Sequence, residues 1–363
     1  MLKRFEVQGY KNFKDRFVLD FSDVRDYQFN TECIKNNLIN HSMIYGKNAV
    51  GKTNFGRAIF DIRSNFQRTM REPIEDTYIN ADTNLDYAEF KYVFQFNEDE
   101  VVYEYKKKSE CVFKDERVTI NGELVFYRDY NKNKNEINNL KIIGTETLNW
   151  QLFDADDEIS ILSYLINNIP ISQDNILAKL YKFIKGMTLF RSEHNLPIGS
   201  FYIQDFIRNN EVEELEKFLN SFGINEKLKV KANPTGEKEL YFAHNRPISF
   251  WRNVSSGTKS LVRLYRWYKR LETATFLYMD EFDAFYHYEL SEDVMKMIKK
   301  LENCQTVTTS HNTNLFSNQI MRPDCLFILT KENIVAVANA TDRELREGHN
   351  LEKLYKSGEF DVE

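Results

Sequence analysis

Apolar residues alternate with polar ones through the first forty positions, at Phe5, Val7, Phe13, Phe17, Leu19 and Phe21, with Gly9 and charged residues interrupting the run. A period of two places successive side chains on opposite faces, so the pattern predicts β-strands. It returns between Tyr87 and Phe126, as Phe90-Tyr92-Phe94-Phe96, then Val101-Tyr103-Tyr105, then Val118-Ile120 and Leu124-Phe126. Asn97-Glu98-Asp99-Glu100 and Asn121-Gly122 read as the turns. The expectation is an antiparallel meander with one wet face, followed by a polar loop over residues 130–139.

The period lengthens after Glu158. Helices are expected over Ile159 to Asn168, Gln173 to Lys185 and Glu211 to Phe222; in the last, Val212, Leu215, Phe218 and Leu219 share a face. Aromatic residues there, such as Tyr181, Phe183 and Phe190, read as packing groups. A hairpin is predicted from Leu228 to Phe242, turning at Asn233-Pro234-Thr235-Gly236. No internal repeat or heptad run is visible.

Two short apolar runs of the buried-strand kind end in chemistry. Met43-Ile44-Tyr45 leads into Gly46-Lys47-Asn48-Ala49-Val50-Gly51-Lys52-Thr53, a complete G-x-x-x-x-G-K-[ST] loop that opens the helical stretch from Asn54. The glycines let backbone N–H groups converge on phosphate oxygens, and the helix N-terminus adds partial positive charge. Lys52 is expected to reach the β- and γ-phosphates and the Thr53 hydroxyl to ligate Mg²⁺. The second run, Thr275-Phe276-Leu277-Tyr278-Met279, ends in Asp280-Glu281. A buried parallel strand delivers such carboxylates to the crevice where open α/β sheets bind ligands. Asp280 is expected at the metal, and Glu281 as the group that orients and deprotonates the attacking water. Taken alone, two acids closing a strand are usually a solvated strand end.

Two weaker signals flank this strand. Ser255-Ser256-Gly257 opens a helix with Leu261, Leu264 and Trp267 or Tyr268 on one side; read blandly, it is an N-cap. Gln305-Thr306-Val307-Thr308-Thr309-Ser310 is another strand, presenting His311 at its end. A lone strand-end histidine is ordinarily structural, but its order after the other motifs fits a γ-phosphate sensor.

Taken together, the four motifs resemble the ABC-type ATPases of the SMC and RecF-like branch, and within it the compact ATP-binding proteins, classed as AAA, of bacterial phage-defence operons. The resemblance spans nearly the whole chain, from Gly9-Tyr10-Lys11-Asn12-Phe13 to Asn350-Leu351-Glu352-Lys353-Leu354-Tyr355-Lys356-Ser357-Gly358-Glu359-Phe360. It implies an α/β P-loop ATPase head with an antiparallel β-subdomain and a helical insertion: residues 1–150 as the first lobe, 151–226 as the insertion or lid, and 227–363 as the second lobe. It also implies ATP and Mg²⁺ as ligands, with residues 46–54 of one chain and Ser255, Ser256 and Gly257 of another enclosing the nucleotide. Glu281, His311 and Lys52 would then be catalytic, Thr53 and Asp280 the metal-binding pair, and the assembly a homodimer or a higher even-numbered one. Ser256 and Thr258 stand where the family signature usually has its second Gly and its Gln; His287 stands where a D-loop Asp is common. Gln95 is a weak Q-loop candidate.

Bulk properties narrow the function. Across 363 residues the formal net charge is −6 and the isoelectric point about 5.7, which argues against a protein that coats nucleic acid. Basic residues do gather at Lys106-Lys107-Lys108, at Lys227, Lys229 and Lys231, and at Arg263, Arg266, Lys269 and Arg270, each expected to be a solvated face. Cys33, Cys111, Cys304 and Cys325 show no C-x-x-C spacing and read as reduced core residues. With no long apolar segment, a cytoplasmic protein is expected. Roughly 200 residues separate Lys52 from Ser255 without heptads, so long coiled-coil arms are excluded. No second acid-rich constellation stands out, since Asp154-Ala155-Asp156-Asp157-Glu158 reads as a turn and helix start. The leading expectation is an ATPase switch acting on a separately encoded effector in anti-phage defence, with a DNA-binding repair ATPase as the alternative.

Overall fold

The structure is a computed structural model that describes residues 1–66, 77–132, 134–137, 148, 159–169, 172–191, 201–233, 235–269, 271–284 and 288–360. The acidic run 154–158, Pro234, Arg270 and His287 lie outside the described residues.

In chain order the strands are β1 (Leu2–Gln8), β2 (Phe17–Asp20), β3 (Ile34–Lys35), β4 (Leu38–Ile39), β5 (His41–Tyr45), β6 (Ala88–Phe96), β7 (Asp99–Lys107), β8 (Phe113–Ile120), β9 (Glu123–Asp129), β10 (Lys134–Ile137), β11 (Met187–Arg191), β12 (Leu228–Ala232), β13 (Lys238–Phe242), β14 (Ile248–Ser249), β15 (Phe276–Asp280), β16 (Gln305–Ser310), β17 (Leu326–Leu329) and β18 (Ile334–Ala336). The meander and the N-terminal strands merge into one antiparallel sheet, in the order β10-β9-β8-β7-β6-β1-β2. A second sheet runs β11-β15-β16-β5-β17-β18 and is parallel except for its last pair. The mixed α/β class is as expected.

One helix, Lys52–Ser64, lies between these sheets and holds them together. Its Phe55 meets Phe5 and Phe13 on the antiparallel side, at ring separations of 5.7 and 5.5 Å, and Tyr92 donates to the Ala58 carbonyl at 2.9 Å. On the other side Tyr278 of β15 crosses the helix at Gly56 and donates to the Lys52 carbonyl at 2.8 Å. A Cβ at Gly56 would come within 2.5 Å of the Tyr278 ring. That clash outweighs the roughly 1 kcal/mol of helix propensity that alanine brings. Gly56→Ala is therefore expected to destabilise the protein by about 1–2 kcal/mol in denaturant titration; a gain in stability would show that the ring is free to move aside.

The expected helices are found at Ile161–Asn168, Ile176–Lys185 and Val212–Ser221, with a further one at Phe201–Arg208. The aromatics named for packing do pack: Phe183 on Phe94, Tyr181 on Phe66, and Phe190 on Trp267. The hairpin forms as β12 and β13, and β14 adds a third strand. Three expectations need correction. Within the polar stretch 130–139, Lys134–Ile137 is a strand, because β9 offers an unpaired edge that its backbone can satisfy. In the stretch read as helical, Met187–Arg191 is the parallel edge strand beside β15. Of the four cysteines, Cys33, Cys304 and Cys325 are buried but Cys111 is exposed, in the turn between β7 and β8.

Candidate functional site

β5, β15 and β16 are buried along their whole length and run parallel. Their C-terminal ends therefore rise together, and each continues directly into one of the sequence-predicted motifs. Register fixes the neighbours: Ser310 pairs with Tyr45, the residue before Gly46, and the Gly46 amide donates to the Ser310 carbonyl at 3.2 Å.

The loop from Gly46 to Gly51 wraps over the start of the Lys52–Ser64 helix. Gly51 takes φ 107° and Ala49 φ 64°, both in the left-handed region, so the glycine at the first of these positions is a conformational requirement. A Cβ at Gly46 would sit 2.9 Å from Val50 and 3.0 Å from the Leu329 carbonyl. Lys47, Asn48 and Ala49 form the outer turn of the loop. Asn54, on the first turn of the helix, donates to Asn12, which belongs to the Gly9–Phe13 turn after β1. The loop thus rests on the N-terminal segment that the sequence flagged.

Lys52 is buried, and its ammonium donates to the carbonyls of Gly46 at 2.8 Å and Lys47 at 3.2 Å. Glu281 lies 3.9 Å from it. Burial pulls the lysine below its ordinary pKa, and the charges of Glu281, Asp280 and Asp283 act the other way. The Thr53 hydroxyl donates to one Asp280 oxygen at 2.6 Å, and the Thr309 hydroxyl donates to the other at 3.0 Å. Thr309 also accepts the Glu281 amide at 2.8 Å, so one β16 hydroxyl braces both carboxylate-bearing residues.

Glu281 adopts φ 47°. A left-handed conformation at a residue that is not glycine stores strain of about 1–2 kcal/mol and concentrates at functional positions. Asp283, two residues on, is buried and accepts from Ser310 at 2.8 Å, and desolvation holds its carboxyl above the usual range. His311 follows β16 and is exposed beside this group. β11 contributes the one strand end that the sequence reading missed: Arg191 stands in register with Asp280. Thr309, Tyr278 and Ser310 were legible only as strand residues.

Ser255 and Ser256 are exposed and Gly257 is half-buried. Ser255 caps the Ser256–Tyr268 helix, accepting the Thr258 amide at 3.1 Å. Among the described residues no hydrogen bond or ion pair joins this cap to the phosphate loop of the same chain. Gln95 is not brought to the loop either. It pairs with Met1 at the far end of β6, and its side chain donates to the Asn97 carbonyl at 2.8 Å.

Several residues of the basic runs are paired within the chain, whereas Lys227 and Lys231 are exposed. Lys107 is buried against Asp61 at 2.7 Å, Lys106 pairs with Asp115, Arg266 with Asp205, and Lys269 with Glu214. Among the described residues no helix is long and apolar enough to cross a membrane.

No curated protein sequence matches the chain. Solved structures similar to it include an SMC head bound to the C-winged helix domain of ScpA, at 17% identity and TM-score 0.49, covering 92% of this chain and 97% of that one. The SMC head domain from Thermotoga maritima matches at 16% and 0.44, covering 92% and 98%. The Smc head with a coiled coil and joint from Pyrococcus yayanosii matches at 12% and 0.48, covering 98% and 99%. The family model described as the RecF/RecN/SMC N terminal domain matches residues 1–334, nearly the whole chain. With that match and the loop, strand and cap arrangement above, the chain belongs to the RecF/RecN/SMC N-terminal domain family and is an ATPase head domain of the SMC/RecF type.

Proposed function

We propose that this head binds and hydrolyses ATP with Mg²⁺, closes as a homodimer or higher even-numbered assembly around the nucleotide, and so switches a separately encoded effector, such as a nuclease or toxin, in bacterial anti-phage defence. The observation that carries the catalytic part is the meeting of Thr53 with Asp280 and of Lys52 with Glu281. Residues far apart in sequence converge on one small volume at the strand ends, with the acid–base complement that phosphoryl transfer needs.

Amides of residues 47–54 and the Lys52 ammonium grip the phosphates. The Thr53 hydroxyl and Asp280 carboxylate, side by side through their hydrogen bond, are hard oxygen donors of the kind that suits Mg²⁺, and these two would hold it. When bound, the ion would supply charge neutralisation at the phosphate oxygens. Glu281 orients a water for in-line attack at the γ-phosphorus and takes its proton as the bond to the β–γ bridging oxygen breaks and ADP departs. His311, beside Gly46 through the Ser310–Tyr45 pairing, is positioned to read the γ-phosphate.

The cap at Ser255–Gly257 points to the partner. A helix N-terminus with exposed hydroxyls, unconnected to its own chain's loop, fits the terminal phosphate held by a second copy. Ser255→Arg is expected to leave the monomer folded and ATP-binding, while ATP no longer drives dimerisation and turnover falls at least tenfold. Light scattering with and without ATP checks this; normal ATP-dependent dimers in that variant would remove the cap from the site.

Compact heads without arms cannot tether distant DNA segments, and Lys106, Lys107, Arg266 and Lys269 of the basic runs are paired within the chain, which supports the effector reading over DNA repair. Affinity purification from the native host tests it, with recurrent co-purification of one other protein expected. Recovery of the chain alone, together with ATP-strengthened, salt-sensitive DNA binding, would favour the repair reading.

A further inference from the structure

The family model ends at residue 334, yet the chain's last described segment returns to the nucleotide site. The helix Leu351–Lys356 begins at an Asn350 cap, whose side chain accepts the Lys353 amide at 2.8 Å. Tyr355 on this helix packs its ring on Tyr45 at 4.9 Å and on Phe316 at 5.5 Å; Tyr45 and Phe316 meet each other at 5.5 Å, and Phe360 closes on Phe316 at 5.9 Å. Edge-to-face and tilted rings at these separations are the favoured geometry, and together they make one aromatic cluster.

Each residue that the cluster holds is next to a functional loop. Tyr45 is the last residue of β5 and is followed directly by Gly46. Phe316 ends the turn Thr313–Leu315, which begins two residues after His311. A polar contact reinforces the aromatic one: the Thr313 hydroxyl donates to the Glu352 carboxylate at 2.7 Å, and Lys356 pairs with the same carboxylate at 2.6 Å. Upstream, Asn318 donates to the carbonyls of Arg346 and His349 at 2.9 and 3.2 Å, tying the segment before the helix to the segment after the histidine loop. Three independent kinds of contact therefore fasten residues 345–360 to residues 313–318.

We infer that the segment Asn350–Phe360 is a clasp that positions His311 and the start of the phosphate loop, with Tyr355 and Glu352 as positioning residues. The inference rests on the nucleotide-site reading above. These side chains act through the backbone segments they hold and not on the phosphates themselves. They restrict the two backbone segments that must hold still while charge develops at the γ-phosphate, and a shift of about 1 Å in such groups costs on the order of 100-fold in rate.

The test uses the full chain with Tyr355→Ala, Tyr355→Phe, Glu352→Ala and Glu352→Gln. Tyr355→Ala and Glu352→Ala are expected to lower kcat at least tenfold, with the affinity for a non-hydrolysable ATP analogue within threefold of wild type. Tyr355→Phe keeps the ring, and Glu352→Gln keeps an acceptor for Thr313, so both should recover most of the rate. Amide hydrogen exchange supplies a readout that needs no turnover: residues 311–318 should exchange faster in the two alanine variants, while β7 and β8 stay protected. Unchanged exchange at 311–318 overturns the clasp; faster exchange with wild-type kcat overturns its positioning role. If the wild-type chain itself showed no ATPase activity, the proposed function would fall, and exchange at 311–318 together with analogue affinity would still decide whether the clasp exists.

Discussion

Glu281→Gln is expected to reduce ATP turnover by about 10²- to 10⁴-fold, the range for losing a positioned general base, while the protein stays folded and retains nucleotide. The substitution keeps side-chain volume and the polar oxygen, and removes only the ability to take a proton. Its backbone environment is unchanged, because Thr309 holds the residue through the main-chain amide and the φ of 47° is imposed by the strand end, not by the carboxylate. Loss of the charge 3.9 Å from Lys52 takes away one favourable partner of the ammonium, which a bound triphosphate more than replaces. With hydrolysis blocked and the cap of Ser255–Gly257 intact, ATP should accumulate in a closed dimer. Phosphate-release kinetics and size-exclusion chromatography with ATP check both halves; turnover within threefold of wild type would remove Glu281 from the role of base.

The parts of this site written contiguously were legible in the sequence. The loop 46–53, Asp280-Glu281 and the cap at Ser255 are each a short run whose spacing carries its own geometry, and β5 and β15 could be seen as apolar runs that end in chemistry. What could not be read are the contacts that make these runs one site. Nothing in the run Gln305–Ser310 distinguishes Thr309, which braces two acidic residues, from Thr306 and Thr308, because the difference lies in register with β15. Gly56 looks like an ordinary weak point in a helix until the Tyr278 ring is placed against it. Likewise β11 is only five residues long and follows a helix after Gly186, so its period was too short to separate from helix. Gly186 was the available signal: its carbonyl accepts the Thr275 amide at 3.1 Å, and a Cβ there would lie 2.7 Å from the Thr275 hydroxyl. The closing motif Asn350–Phe360 was visible as a pattern, but its purpose depends on where Tyr45 and Phe316 stand.

Lys52→Ala is expected to separate binding from folding. An ammonium has three N–H donors; two of them hold the carbonyls of Gly46 and Lys47, and Glu281 at 3.9 Å is beyond hydrogen-bond range. That leaves one donor for a phosphate oxygen, on a group already fixed in place by its own loop, so little conformational freedom remains to be lost on binding. A charge-assisted contact of this kind contributes roughly 1.5–3 kcal/mol, which predicts an affinity for ATP weaker by about 10- to 100-fold and turnover below detection. The unliganded protein should respond differently. Burial already disfavours the Lys52 charge, so removing it relieves a desolvation cost that offsets the two lost carbonyl contacts, and stability without ligand should stay within about 1 kcal/mol of wild type. Ligand linkage makes the contrast measurable: at 100 times its Kd, ATP stabilises the wild type by about 2.7 kcal/mol, and most of that gain should vanish in the variant at the same concentration. Equal ATP-induced shifts in Tm for the two proteins would detach Lys52 from phosphate binding, whereas a large loss of stability without ligand would mean that its principal task is to hold the loop. Because Glu281→Gln should keep the full ligand-induced shift and Lys52→Ala should lose it, the pair assigns grip and chemistry to opposite sides of the same 3.9 Å gap.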